Sequence, residues 1–490
     1  MGALARARPS YNSVQGRTMP VGCCEMGGIM KTKGVFCLAT AVVFMALSAL
    51  IPAPEGLSSE GMRGLGVLAA TILLMVTEAL PLPIVMLSMM SALYLLGVSS
   101  FGAICSSFGN SAVLFMLASF GISTALANTH IPQAFVEHVI EWSRGSAKRL
   151  CGGFLAGAAI TSSFISDVPT CVIFGTFAQK LLQAAGCDEP GRSALGRSLM
   201  IAVPAGAIIG GFATPAGNGL NIMVLNAANE MADANLTFVK WCAAGIPLMA
   251  VISAICIFVL LRVFKPCDVD ASAIGTMARD SAESTTLGAA EAKFAAILIA
   301  MIFFWVASSW IPQINITVAS ILGVLAMHLP GIGLLRGKDF VQGVSWESFM
   351  MCGGIIAVGT AVQGTGAISW IVDCALSATS DWSVLAVLLV FSLIPCLIHL
   401  ATPVAGAIYA LSCAPLITAA MALGMDPCVA ALLVGLWVCV AFMQPFDLVY
   451  LLTYSYGYYT PKDLVTFGVV PTVALLALSV VWIPFVCAVM

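Results

Sequence analysis

Charge is what this sequence has least of. Asp, Glu, Lys and Arg make up only 9% of its 490 residues, 60% are hydrophobic, and the mean hydropathy is +1.03. Soluble domains carry roughly 25% charged residues, so the composition excludes a soluble enzyme and implies an integral membrane protein. Alternating polar and apolar stretches are also missing, while Gly and Pro sit inside long apolar runs. That excludes a β-barrel and leaves helices to satisfy the backbone in lipid. Histidine is rare, with 4 in the chain, and no HExxH or GxSxG motif occurs, which argues against an intramembrane enzyme. The 17 cysteines are scattered, without a CxxC pair or His partners at ligand spacing. Neither a metal site nor a disulfide framework follows, and these cysteines read as small apolar residues in helix packing.

Long apolar runs are plentiful instead. They cover residues 34–52, 64–98, 243–264, 294–311, 347–372 and 464–490, and a span needs ~20 residues. That length rule gives roughly eleven crossings, together with segments too broken by Pro and Gly to be ordinary spans. The fold class is therefore all-α and polytopic. Residues 30–52 have the basic start and apolar core of either a signal peptide or a first span, and the span is the preferred reading.

The net charge of −3 matters less than where charge sits. Arg6, Arg8, Arg17, Lys31 and Lys33 precede the first span and place the N-terminus in the cytoplasm. Arg144, Lys148 and Arg149 form a second cluster, and Arg262, Lys265, Arg279 and Lys293 surround a polar connection. The chain divides into a leader (1–33), a first half (34–265), a polar cytoplasmic linker (266–293) and a second half (294–490).

The halves share an internal order. Each has a Gly-containing apolar run (112–128 and 352–370), then a polar patch (162–170 and 399–409). A second break led by Phe-x-x-Pro follows (212–226 and 442–458). Paired breaks in corresponding places point to a transporter whose binding site lies near the bilayer midplane. Amides freed at half-helix N-termini can hold an anion there, and freed carbonyls a small cation.

The sharpest local signal is "FISDVPT" (164–170), which puts Asp167 at bilayer depth. A carboxylate there costs ~2.5 kcal/mol or more, so cation ligand, proton carrier and partner of a buried base are its natural roles. No Lys or Arg lies between residues 150 and 179, which favours the first two. "GGFATPAGNGLN" (210–221) is the clearest loop of carbonyls and amides. Asp447 in the second half makes a two-carboxylate arrangement conceivable. Glu78 reads as a helix end or a transport residue, His399 as a group able to titrate near neutral pH or, more often for a lone His on an apolar face, a packed, hydrogen-bonded side chain, and His130, His138 and His328 as interface or loop residues.

Several stretches resemble the divalent anion:sodium symporters of the ion transporter superfamily. They are "VTEALPLPIVMLSMMSALYLLGV" (76–98), "SSFGNSAVLFMLASFGISTALANTHI" (106–131), the hairpin region 143–170, "GGFATPAGNGLN" and "YSYGYYTPKDLVTFG" (454–468). The resemblance spans about residues 35–490. Where that family has Ser-Asn-Thr preceded by another Ser, this chain reads Ser162, Ser166, Asp167 and Val168. Both serines match, and the Asn and Thr do not. By resemblance, a sodium ion lies among Ser162, Ser166, Asp167, Gly217 and Asn221. The second hairpin departs further: it offers Thr402, Pro403 and Gly406, and the second loop has Gln444, Pro445 and Asp447 in place of Thr-Pro-Pro-Asn.

The resemblance implies two inverted repeats with broken helices and two re-entrant hairpins. It also implies a homodimer and an elevator-like transport domain. The expected function is secondary active transport of an anion, a di- or tricarboxylate or a sulfate-like ion, coupled to Na⁺ or H⁺. The alternative is a sodium/proton antiporter or metalloid exporter of the same superfamily. Expected substrate contacts are Ser166, Thr170, Thr214, Asn218, Thr402, Pro403, Pro445 and Asp447. No cofactor beyond the coupling ion and no nucleic acid is expected. The partners are a small anionic solute, membrane lipid and a second copy of the chain, in the plasma membrane or a bacterial inner membrane.

Overall fold

A computed structural model describes residues 26–187, 189, 191–268, 288–376 and 382–490, with backbone alone at 26–33 and 375–376. The first 25 residues and positions 269–287 of the linker lie outside the described residues. Every described regular element is helical.

After α1 (Met26–Leu50), ten helices follow. They are α2 (Ser59–Thr77), α3 (Leu82–Leu95), the short α4 (Phe101–Ser106), α5 (Ser111–Ala127), α6 (Ile131–Ser143), α7 (Ala147–Ile165), α8 (Asp167–Ala184), α9 (Ala194–Ala213), α10 (Gly219–Ala232) and α11 (Phe238–Phe264). Ten more run in the same order of long and short elements: α12 (Ala289–Ala307), α13 (Ile316–His328), the short α14 (Gly337–Gly343), α15 (Trp346–Gly364), α16 (Ala367–Leu376), α17 (Val384–Ala401), α18 (Ala405–Ala422), α19 (Pro427–Cys439), α20 (Leu448–Tyr454) and α21 (Pro461–Val489). The polar breaks seen in the sequence fall at α7/α8 and α9/α10, and again at α17/α18 and α19/α20.

Among the described residues, eight helical stretches are long and apolar enough to cross a membrane, or nine if α14 and α15, bent by 62°, are one span. The expected count of about eleven also takes in apolar helices shorter than a full span. Four shorter apolar helices, Gly34–Leu50, Leu82–Leu95, Ile316–His328 and Pro427–Cys439, account for much of the remainder. The run 64–98, for instance, is broken at Glu78, which ends α2 with φ 49° and ψ 32° and is exposed.

Helix starts follow local chemistry. Ser58, Asn110, Ser193, Thr237, Asn315, Ser383 and Asp426 each accept an amide hydrogen bond from the first turn they precede. Proline inside α9, α11, α17, α18 and α21 is tolerated because neighbouring helices re-satisfy freed backbone groups.

Helix α9 is the most buried of the eight candidate spans. From Leu195 to Ala213 every residue except Arg197 is buried, so α9 has no lipid-facing side. It packs against α7, α8, α11, α19 and α20. Gly206 and Gly210 allow the closest of these approaches, since a Cβ at either would overlap the Leu155 or Ala159 carbonyl of α7. A second group, α2, α3, α5, α13 and α15, packs together and meets the first along α5–α10 and α15–α18. A cleft of about 60 Å³ lies on that boundary, bordered by Asn226 and Glu230 of α10, Thr360 and Gln363 of α15 and Tyr409 of α18.

Candidate functional site

The chain between α7 and α8 turns at a single residue. Ser166 takes φ 102° and ψ 150°, a left-handed conformation that L side chains rarely adopt. The turn is held locally: the Thr170 hydroxyl donates to the Ser166 carbonyl at 2.7 Å, and Ser123 of α5 donates to the Ile165 carbonyl at 2.5 Å. Asp167 then opens α8, and its Oδ1 accepts the Val168 amide at 2.8 Å and the Ser166 hydroxyl at 3.2 Å. Its Oδ2 accepts the Asn218 amide at 3.1 Å. Asp167 is 8% exposed, so these three donors, rather than water, meet most of its hydrogen-bonding need.

Between α9 and α10 the loop 214–218 is almost wholly buried. Thr214 donates to the Ser163 carbonyl and accepts the Ala216 amide at 3.1 Å, which ties loop to hairpin and closes the loop on itself. Asn221 donates to the Gly211 carbonyl at 2.7 Å and the Thr214 carbonyl at 3.0 Å, and accepts the Cys439 thiol at 3.0 Å. Gly217 must be glycine, because a Cβ there would lie 2.6 Å from the Gly211 carbonyl oxygen. At Gly211 the added atom would be 3.6 Å from Asp167 Oδ2 and 3.9 Å from the Gly217 carbonyl. The carboxylate and that carbonyl therefore converge over the bare face of Gly211. Hydroxyls, a carboxylate and carbonyls are a donor set suited to a hard cation.

The second half repeats this wiring with different side chains. The Gln444 amide donates to the Leu400 carbonyl at 3.1 Å and the His399 carbonyl at 3.4 Å, as Thr214 does to Ser163. His399 Nδ1 bonds the Trp437 carbonyl at 2.5 Å, and the Ser162 hydroxyl donates to the Ala207 carbonyl at 2.6 Å. Trp437 and Ala207 precede Gln444 and Thr214 by the same interval. Asp447 caps α20 through the Val449 amide at 2.9 Å, as Asn218 caps α10 through Leu220 at 3.0 Å. In each half the cap residue faces a polar hairpin side chain: Asn218 meets Asp167, and Asp447 Oδ2 lies 3.6 Å from His399 Nε2.

The two halves meet at their breaks. Helix α20 packs on α8 and α9, and the Cys171 thiol of α8 donates to the Val449 carbonyl at 3.3 Å. Asp167 opens α8 and Asp447 caps α20, so the packing of these two helices brings both carboxylates to the same junction. The return limb α18 starts with no cap from the side chain of Val404, whereas α10 and α20 are capped and the first turn of α8 has its Val168 amide bonded to Asp167. Uncapped N-terminal amides attract negative charge.

Ser162, Ser166, Asp167, Gly217 and Asn221 thus fall in one connected region, with Thr170, Thr214 and Asn218. The Thr170 and Thr214 hydroxyl protons are committed to carbonyls of the hairpin, leaving acceptor capacity for anything else. In the second half, Thr402 is buried and accepts the Val404 amide at 3.4 Å, while Pro403 and Pro445 are partly buried. The pairing of His399 with Asp447 did not emerge from the sequence, nor did the link from Cys439 to Asn221. Each joins residues far apart in the chain. A matching of the two polar patches would have set His399 beside Ser162 and Ser163.

Comparison with known proteins bears on this arrangement. The profile of a family described as citrate transporters matches residues 72–439. A membrane protein of Cupriavidus necator is 24% identical over 354 residues, covering 68% of each chain. A sodium-dependent dicarboxylate transporter, SdcS, of Staphylococcus saprophyticus is 20% identical over 353 residues and 67% of each chain. Among solved structures, the YdaH transporter of Alcanivorax borkumensis aligns with a TM-score of 0.51 at 11% identity, over 93% of this chain and 98% of that one, a likeness of fold.

Proposed function

Because the chain belongs to the citrate transporter family of the ion transporter superfamily, we propose that this multi-pass membrane transporter moves a small di- or tricarboxylate, or a sulfate-like dianion, together with Na⁺ or H⁺. The observation that carries the reading is the pair of broken helices whose loops, through Thr214 and Gln444, bond back to the ends of their own hairpins.

The cation binds first in this reading. Na⁺ is held by oxygens of Ser162, Ser166, Asp167 and Gly217, with Asn221 bracing the loop, or H⁺ is carried by Asp167. Either neutralises a carboxylate that would otherwise repel the anion. The anion then meets the uncapped start of α18 and the neutralised tip of α8, with Ser166, Thr170, Asn218 and Thr402 beside them. Dipoles and neutral donors supply the attraction, since no Lys or Arg occurs at either hairpin tip. Helices α7–α11 and α17–α21 form the mobile unit of an elevator, sliding on α2–α5 and α12–α15 within a homodimer. The halves 34–265 and 294–490 are its two inverted repeats.

Uptake of labelled citrate, succinate and sulfate into proteoliposomes, under a Na⁺ gradient or a pH gradient, tests this for wild type and Asp167→Asn. Sodium-driven uptake surviving the change assigns Asp167 to an ordinary sodium site. Proton-driven uptake lost with it makes Asp167 the proton carrier. The two carboxylates at the paired breaks, Asp167 and Asp447, and the missing second Ser-Asn-Thr favour a second reading, sodium/proton antiport or metalloid export, and absence of anion uptake under both gradients would select it.

A further inference from the structure

His399 is 1% exposed and its Nδ1 lies 2.5 Å from the Trp437 carbonyl oxygen. A carbonyl only accepts, so Nδ1 carries the hydrogen. In the neutral ring Nε2 is then a bare acceptor. It has no hydrogen-bond partner, although it is fully buried, and it points at Asp447 Oδ2 from 3.6 Å. An ionised carboxylate is also purely an acceptor. Two acceptors thus face each other in a buried site, one hydrogen short of a bond.

We propose that His399 and Asp447 form a one-proton binding site in the second half of the molecule, and that its loading and unloading accompany transport. The step is a simple protonation. Nε2 takes H⁺ from water on one side of the membrane, the resulting imidazolium N–H donates to Asp447 Oδ2, and the same H⁺ returns to water on the other side. The inference deepens the transport reading and rests on it for the word transport, but not for the protonation itself.

The surroundings suit that role. Helix α17 packs against α18, α19 and α21. Asp447 is the charged neighbour facing the ring, while the Cys439 thiol of α19 donates to Asn221, the Cys171 thiol of α8 to the Val449 carbonyl, and the Tyr459 hydroxyl to the Tyr450 carbonyl. Tyr409 and Cys413 of α18 border the cleft with Glu230 instead. Helix α21 offers no titratable side chain from 465 to 486, and no Lys or Arg lies between 384 and 460. A base that would neutralise Asp447 permanently is therefore missing from these elements. A proton is the fitting occupant, because an imidazole nitrogen is a poor ligand for alkali ions. Among the described residues no cluster of three metal-ligating side chains exists to hold anything heavier.

The test is ¹⁵N NMR of labelled histidine in the full-length protein in nanodiscs, with His130, His138 and His328 replaced by Gln so that His399 reports alone. One titration between pH 5 and 9 is expected, with the Nδ1–H tautomer at its alkaline end, and Asp447→Asn should displace its midpoint by about one pH unit or more. A ring that stays neutral throughout, or one indifferent to Asp447→Asn, overturns the site. In proteoliposomes, stimulation of labelled citrate uptake by an inward proton gradient should vanish in His399→Gln. Undiminished stimulation overturns the coupling. Failure of wild type to move any solute defeats the transport reading, and the NMR titration still decides the proton site.

Discussion

Asn218 binds Asp167 Oδ2 with its amide at 3.1 Å while its carbonyl oxygen caps α10 at the Leu220 amide. One side chain therefore fixes the carboxylate of the hairpin tip relative to the start of the second half-helix. The cap and the carboxylate are set by the same rotamer, so displacement of either is felt by both.

Asn218→Ala should accordingly cost about 2 kcal/mol, the loss of a helix cap plus a hydrogen bond to a buried carboxylate. Thermal unfolding in detergent measures the stability, and the cation concentration for half-maximal uptake should rise roughly tenfold, the equivalent of 1.4 kcal/mol. An unchanged cation dependence would remove Asn218 and Asp167 from the coupling site.

The ties from loop to hairpin make a matched pair of experiments. Thr214→Val deletes the bond to the Ser163 carbonyl and leaves that oxygen unpaired, for about 1–3 kcal/mol, whereas Thr214→Ser restores most of it. Gln444→Leu should cost a similar amount by freeing the Leu400 carbonyl. Equal melting temperatures for Val and Ser at 214 would mean that the tie is incidental.

Helix α9 should be intolerant of single methyl groups on one face. Gly206→Ala and Gly210→Ala press on α7 carbonyls and should each destabilise by about 1–3 kcal/mol. Gly102→Ala meets nothing within 4 Å and should be neutral or slightly stabilising, because alanine favours helix. Expression yield and melting temperature of the three variants in parallel would decide it.

Sliding of the proposed mobile unit predicts a reversible lock. Asn226 of α10 donates to the Ser111 hydroxyl of α5 at 2.8 Å, across the boundary between the two helix groups. A short thiol-to-thiol cross-linker joining Ser111→Cys to Asn226→Cys should reduce uptake at least about tenfold, with recovery on cleavage of the linker. The variants are made with the native cysteines replaced by Ser or Ala, and each single cysteine variant should then be unaffected by the reagent. Full activity in the cross-linked protein would exclude relative motion at this contact.

Much of this was legible beforehand because it is local. Hydropathy alone demanded helices in lipid, and Asp167, Gly217 and the second break near Asp447 stood out as polar or flexible residues within apolar runs. The exact number of spans was less legible, since α3, α13 and α19, with 14, 13 and 13 residues, are apolar enough to be counted yet shorter than the ~20 residues of a full span. His399 was read as a packed histidine, and its Nδ1 bond agrees. What escaped was Nε2, because its neighbour Asp447 is brought there by the packing of α17 on α19 and no periodicity encodes that. The positions of the breaks, by contrast, could be read from the sequence alone, since a break is a composition change and needs no partner.

The scarcity of basic residues around the breaks has an electrical consequence. If Asp167 and Asp447 are both ionised when the carrier is empty, the unloaded unit is the one bearing uncompensated negative charge, and cation binding discharges it. Each such charge moved through the full field gains about 2.3 kcal/mol per 100 mV. An inside-negative potential would then speed the empty carrier's outward return, so that voltage accelerates turnover by resetting the machine and not by pulling on its cargo.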